Sequence, residues 1–381
     1  MRAVLRLLPT LAAIAAVALA LTLTAATAPA QRSGKGAAAT GQPSSPGGKP
    51  APAAAGQDAA APREKLVLRA GQVLLPGHPI PQGLEYMAFL LDERSGGEIS
   101  LEIRPPSELD GERDLIESIQ MGELDVIVIT TAPLYGFTTD FLVFDLPYVF
   151  PDQQTARRVL DGPYGERTLK KALQVGLVGL AYFENGLRHV TTGKTPVSRP
   201  EDLAGLKIRT METRIHMAVF RKLGATPVPL AFGDLYSHLK KGAVDAEENP
   251  VSVITTTRLQ EVQGYLALTG HFYMPAPLFI SAGVWNRLPD RHRVILQDAA
   301  RDAMHYHRAI ADRFMGQEAL DELSRSMTVN ARIDRGLWRR ALASVREDFK
   351  AEIGPETLEE LDREILKLGP GSVAAGGAGK P

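Results

Sequence analysis

Leu66-Val67-Leu68-Arg69-Ala70, Ile99-Ser100-Leu101-Glu102-Ile103 and Leu124-Asp125-Val126-Ile127-Val128-Ile129 are three short apolar runs, and what separates them decides the fold. After a loop through Pro81, Leu84, Met87, Ala88 and Leu91 recur at helical spacing across residues 82–93. Gly96-Gly97 ends that helix, and the second run then alternates apolar and polar side chains as a strand does. Residues 110–121 read as the next helix. Strand and helix in alternation predict an α/β unit with a largely parallel sheet.

A second round follows. Residues 175–183 and 206–209 read as strands, 215–223 as a helix stopped by Gly224, 226–230 as extended chain, 232–241 as a helix and 243–247 as a strand. Residues 266–270 and 278–284 are two further strands. Beyond Pro289 the chain turns almost wholly helical, with 290–322 as one long helix and a strand at 327–333. Two α/β units with helices appended predict a two-lobed protein with a cleft between the lobes.

The ends are of another kind. Arg2 and Arg6 precede an uncharged apolar run from Leu7 to Ala26, and Ala28-Pro29-Ala30 supplies small residues at the spacing of a signal-peptidase site. The expectation is a secretory signal over residues 1–30, cleaved after Ala30. The alternative is an uncleaved anchor, because a run of this length could span a bilayer. Residues 31–64 hold ten Ala, six Gly and five Pro in 34 positions and no large apolar side chain. Such a stretch has nothing to bury against the entropy of ordering it, so it is expected to be a disordered linker, like the tail at 369–381.

The whole chain of 381 residues carries 43 basic and 44 acidic side chains and no cysteine. The balance argues against a general nucleic-acid binder. The missing cysteine excludes disulfides, thiolate metal sites, a thiol nucleophile and a lipidated cysteine. Signal and linker contain six basic and two acidic residues, which leaves 37 against 42 from Lys65 onward. The body is therefore mildly acidic.

Motifs of catalysis are missing: no phosphate-binding lysine loop, no Gly-x-Ser-x-Gly, no Gly-x-Gly-x-x-Gly. The eight histidines are scattered and read as solvated or capping residues. His305 and His307, two apart on a helix, cannot share a metal. Glu247 and Glu248 are neighbours in a strand and face opposite sides, so they make no acid/base dyad. Neither a cofactor nor a metal is called for. More informative are Arg188, Arg209 and Asn249, each read at or just past the end of a strand, where open α/β sheets bind ligands. Arginine can hold a carboxylate through two parallel hydrogen bonds, and an amide can orient it.

Ordered matches give this placement a context. Asn185-Gly186-Leu187-Arg188, the run from Pro200 through Leu206-Lys207-Ile208-Arg209, Gly224-Ala225-Thr226-Pro227-Val228-Pro229-Leu230-Ala231-Phe232, Asp234-Leu235-Tyr236, Gly242-Ala243-Val244-Asp245 and Glu248-Asn249-Pro250 follow one another. With Leu146-Pro147-Tyr148-Val149-Phe150, the Ser107–Arg113 loop, Leu268-Thr269-Gly270-His271 and Trp285-Asn286-Arg287-Leu288-Pro289, they cover essentially all of residues 65–368. This pattern resembles the solute-binding proteins of tripartite ATP-independent periplasmic (TRAP) transporters.

The resemblance implies a periplasmic receptor of two α/β lobes, a periplasmic-binding-protein-like fold, that closes on a small organic acid and delivers it to the permease subunits of a secondary transporter. It implies that Arg209 pairs with the ligand carboxylate, with Arg188 and Asn249 in or beside the site. Phe232 matches an aromatic position near the ligand, although by spacing alone it reads equally as a core residue. Lobe I is expected over residues 65–187 plus about 274–315 and lobe II over 188–273 plus about 316–368, hinged at the crossing strands and the long helix. Two departures stand out. The family's Asp-Gly-Gln-Glu-Asn is here Asp245-Ala246-Glu247-Glu248-Asn249, and Glu247 is expected to point away from the cleft, since facing it would repel an acid. Where some members place a glutamate after the third strand, Thr130 and Thr131 stand instead, and their hydroxyls could bond the ligand without adding charge. A sensory receptor docking on a kinase ectodomain, or an enzyme processing organic acids in the same cleft, are the alternatives.

Overall fold

The computed structural model describes residues 65–109 and 111–369. The expected signal, the linker and all of the tail beyond Gly369 lie outside the described residues. Nine strands form one sheet among the described residues: β1 (Leu66–Gly71), β2 (Ile99–Ile103), β3 (Val126–Val128), β4 (Leu177–Thr192), β5 (Lys207–Thr210), β6 (Thr226–Pro229), β7 (Ala246–Pro250), β8 (Tyr265–Ser281) and β9 (Thr328–Asn330). Their order is β2-β1-β3-β8-β4-β7-β5-β6, with β9 on β8.

The flanks are parallel as expected: β1 with β2 and β3, β5 with β6 and β7. The centre is not. β4 runs antiparallel to β7 and β8, and β3 antiparallel to β8. A sheet read as largely parallel is therefore mixed, because two long strands cross it from one half to the other. Leu278 to Ile280 of β8 pair with β3, whereas Tyr265 to Ala267 at its other end pair with β9 and the end of β4. The 16-residue β4 and 17-residue β8 replace what the sequence broke into shorter pieces. The strand was read to end at Phe183, but the ladder continues beyond it through a register shift between Glu184 and Gly186. The α/β two-lobed architecture holds, with these two strands common to both halves.

Local chemistry explains the other boundaries. The first helix is Pro79–Ser95, three residues earlier than read, because proline suits a helix's first turn and the His78 side chain accepts from Ile80 N at 3.2 Å. The helix read from residue 110 is Glu112–Met121, and Asp110 lies outside the described residues. The long C-terminal helix is Asp290–Phe314, after which Gly316, extended at φ −84° and ψ −174°, starts a separate Gln317–Leu323 helix. Leu68, Leu84, Met87, Leu91, Val126, Leu278, Leu296 and Ala300 form a core between the first strands and the Pro79–Ser95 and Asp290–Phe314 helices.

Gly186 joins two of these features. Its φ is +103°, a value side chains rarely adopt, and an added Cβ would run into Met315 at the end of the long helix. Gly186→Ala is expected to destabilise the protein by roughly 1–3 kcal/mol, read as a lowered Tm. An unchanged Tm would show that the bulge carries no such constraint.

Candidate functional site

A cavity of about 190 Å³ lies against the middle of the sheet. Arg188 of β4, Arg209 of β5 and Asn249 of β7 line it, facing Thr130, which follows β3, and Phe232 in the turn after β6. Five of the six residues singled out from the sequence thus share one enclosure. Thr130 and Phe232 lie just past the ends of β3 and β6, and Arg209 and Asn249 one residue short of the ends of β5 and β7, but Arg188 does not sit at a strand end. Arg188 is deep inside β4, and β7 begins at Ala246, so Asn249 lies within it. The cavity thus lies at the carboxyl ends of the parallel strands, as read, with the long β4 carrying Arg188 into it from within the sheet.

Thr131 is the exception. Its Oγ1 donates to Asp145 Oδ1 at 3.1 Å, and it is not part of the cavity wall. Asp145, also bonded by Thr213 Oγ1, is pushed up to about 7 by burial.

Two arginines with different partners set the electrostatics. Arg188, 1% exposed, is clamped by Glu248: Nε donates to Oε2 at 2.5 Å and Nη2 to Oε1 at 2.8 Å. Burial disfavours the charge on Arg188, but Glu248 outweighs it and the guanidinium's pKa rises. Glu248 is held well below the usual carboxylate range by Arg188, with His271 Nε2 3.3 Å away, despite its own burial. Arg209, 3% exposed, has no carboxylate partner among the described residues. Its Nε and Nη2 donate only to the Leu230 carbonyl, at 3.0 and 2.7 Å. Burial and the neighbouring Arg188 push its pKa down to about 10. A buried cation without a counter-charge is costly, and an anion in the cavity relieves it.

Among the lining residues left unassigned in the sequence are Glu112 and Asn185. Glu112 opens the Glu112–Met121 helix, and Thr130 grips its carboxylate from both sides, N to Oε1 at 2.7 Å and Oγ1 to Oε2 at 2.6 Å. Burial raises its pKa, opposed by Thr130 and the two arginines. It lies in the Ser107–Arg113 loop already matched to the family, yet nothing local distinguishes it from a solvated helix-start carboxylate. Asn185 is 5% exposed, and its Oδ1 is buried with no hydrogen-bond partner among the described residues. The run Asn185 to Arg188 was noticed, but only for its arginine.

Glu247 does not line the cavity. It is fully buried, accepting from Thr191 Oγ1 across the β4–β7 ladder and from Asn249 Nδ2 at 2.6 Å. The histidines need a correction. His189, His216, His271 and His307 are buried, not solvated or capping, although His305 is exposed and His78 does cap a helix. Neutral imidazoles suit an aromatic interior: His216 stacks on Phe272 at 4.0 Å and His307 on Phe183 at 4.8 Å. Burial lowers their pKa values to about 3 and about 4. Among the described residues no three metal-ligating side chains come together.

Burial pushes Glu247 up to about 7, so its contribution to stability is complete below the ordinary carboxyl range and is lost as pH rises through about 7. Glu247→Gln keeps the shape and cannot ionise. It is expected to gain thermal stability over the wild type above pH 7 and to match it near pH 5. A Tm difference that stays flat from pH 5 to 8 would contradict this.

A model of bacterial extracellular solute-binding proteins, family 7 (DctP), matches residues 70–352. A solute-binding protein from Verminephrobacter eiseniae is 34% identical over 278 residues, 73% of this chain and 83% of its own. The C4-dicarboxylate-binding periplasmic protein DctP of Rhodobacter capsulatus is 29% identical over 300 residues, 77% of this chain and 90% of its own. Among solved structures, a TRAP periplasmic solute-binding protein from Polaromonas, bound to D-erythronate, superposes with a TM-score of 0.75 at 34% identity, covering 78% of this chain and 98% of that one.

Proposed function

Because the chain belongs to the DctP family of bacterial extracellular solute-binding proteins, we propose that its cavity captures a small organic acid by the carboxylate and presents it to a TRAP-type permease. The observation that carries this reading is Arg209: a guanidinium 3% exposed, facing the cavity, held in place by a carbonyl and matched by no carboxylate among the described residues. Leu230 fixes the fork through Nε and Nη2. Asn249 is held by Glu247, and Arg188 by Glu248. A ligand carboxylate therefore meets groups whose orientation is already set, which lowers the ordering cost of binding.

A sealed 150 Å³ cavity is known to hold benzene, so about 190 Å³ with an open side has room for a small acid. The protein acts as a receptor, not an enzyme, in this reading, and binding shifts the lobes toward a closed population that the permease recognises. Export through the residue 1–30 segment would place it in the periplasm. No helix among the described residues is long and apolar enough to cross a membrane.

The test is a thermal-shift and calorimetric screen of the purified chain against monocarboxylates, dicarboxylates, sugar acids, 2-oxo acids and aromatic acids. An acid at ~100 times its Kd adds roughly 2.7 kcal/mol to stability. Arg209→Ala is expected to weaken binding at least about 100-fold, as loss of a buried charge-assisted pair does. Arg209→Lys, which keeps the charge and loses the planar fork, should weaken it by about tenfold or more. If no acid stabilises the protein, or Arg209→Ala binds as the wild type does, the reading fails.

A further inference from the structure

The cavity wall is chemically two-sided. Arg209 offers a cation and donors, whereas Glu112 offers only acceptors while ionised. Its carboxylate is not an ion-pair remnant. Thr130 takes one acceptor position on each oxygen, through N at 2.7 Å and Oγ1 at 2.6 Å. A carboxylate has about four such positions, so each oxygen keeps capacity for a donor arriving from the cavity that Glu112 lines. Asn185 adds an amide, 5% exposed, whose Oδ1 is without a partner among the described residues. A ligand that satisfies this wall must carry hydrogen-bond donors away from its carboxylate.

We propose that Glu112 is the specificity residue of the site, admitting monocarboxylates with hydroxyl groups along the chain and rejecting dicarboxylates. This rests on the carboxylate reading of Arg209 above. A second carboxylate brought to Glu112 would place like charges together beside a buried wall and leave the acceptors unanswered. An ammonium would answer Glu112, but Arg209, which has no carboxylate partner among the described residues, also lines the cavity and opposes a further cation. Hydroxyls donate without adding charge.

The experiment is calorimetry on the purified chain with matched probes of four and six carbons. At each length these are the polyhydroxy monocarboxylate, the plain monocarboxylate and the plain dicarboxylate, with threonine as the amino-acid probe. The polyhydroxy acid of at least one length is expected to bind ten times or more tighter than its plain and dicarboxylate counterparts and than threonine. Glu112→Gln should narrow the gap between polyhydroxy acid and dicarboxylate at least tenfold. Thr130→Val, which releases one anchor of Glu112 and keeps the charge, should weaken the polyhydroxy acid at least about tenfold more than the plain acid, and serves if Glu112→Gln does not fold. A dicarboxylate or threonine bound as tightly as the polyhydroxy acid overturns the proposal, as does an unaltered ratio in the folded variants. Plain acids bound through Arg209 without hydroxyl preference would sink this inference alone. Failure of every probe would sink the carboxylate reading with it.

Discussion

The Arg188–Glu248 pair is the constraint on which the site depends. Arg188 of β4 and Glu248 of β7 are diagonal neighbours, with Val190 opposite Glu248 in the antiparallel register. Both side chains are almost wholly withdrawn from water. A buried ion pair is weak evidence of net stability, but removing one partner strands the other and costs about 3–5 kcal/mol. Its value here is allocation. Glu248 is committed to Arg188, and the nearby Arg209 receives only a carbonyl. Had Glu248 bridged both guanidiniums, the cavity would have lost its surplus positive charge.

The same arrangement reconciles an acidic body with the acidic ligand proposed for it. Residues from Lys65 onward hold five more acidic than basic side chains, 42 against 37, so long-range attraction favours no anion. Selectivity has to be local, and the buried carboxylates are arranged to permit it. Glu248 faces a cation, Glu247 and Asp145 sit behind hydroxyl and amide donors, and Glu112 is held by Thr130. Burial displaces Glu247 and Asp145 upward toward neutrality, which blunts their repulsion of an acid.

Much of this was legible in the sequence, for reasons that also mark the limit. The Pro79–Ser95 helix and β2 follow from local periodicity, and Arg188, Arg209, Asn249, Phe232 and Thr130 came from motif order and strand placement. β4 and β8 were cut short because they are buried along most of their length and give no alternation to follow, while Gly186 looks like a terminator. Gly316 breaks the long helix inside a window that otherwise keeps helical spacing. Glu112 and Asn185 were missed because their importance arises from what faces them across the cavity, which no spacing records. Thr131 was included for its hydroxyl, but one residue's difference from Thr130 turns that hydroxyl to Asp145. The buried histidines escaped for the same reason, since their stacking partners come from other elements.

The crossing of β4 and β8 has a consequence for the order in which the chain can fold. Val126 of β3 pairs with Ile280, and β9, from near the C-terminal end, pairs with Tyr265. Neither half of the sheet is complete until the chain through Ser281 has been made, and the Asp290–Phe314 helix that covers the first core comes later still. Contacts so distant in sequence make for slow closure of the native state. A chain emerging from the ribosome would thus remain without its complete sheet for most of its synthesis.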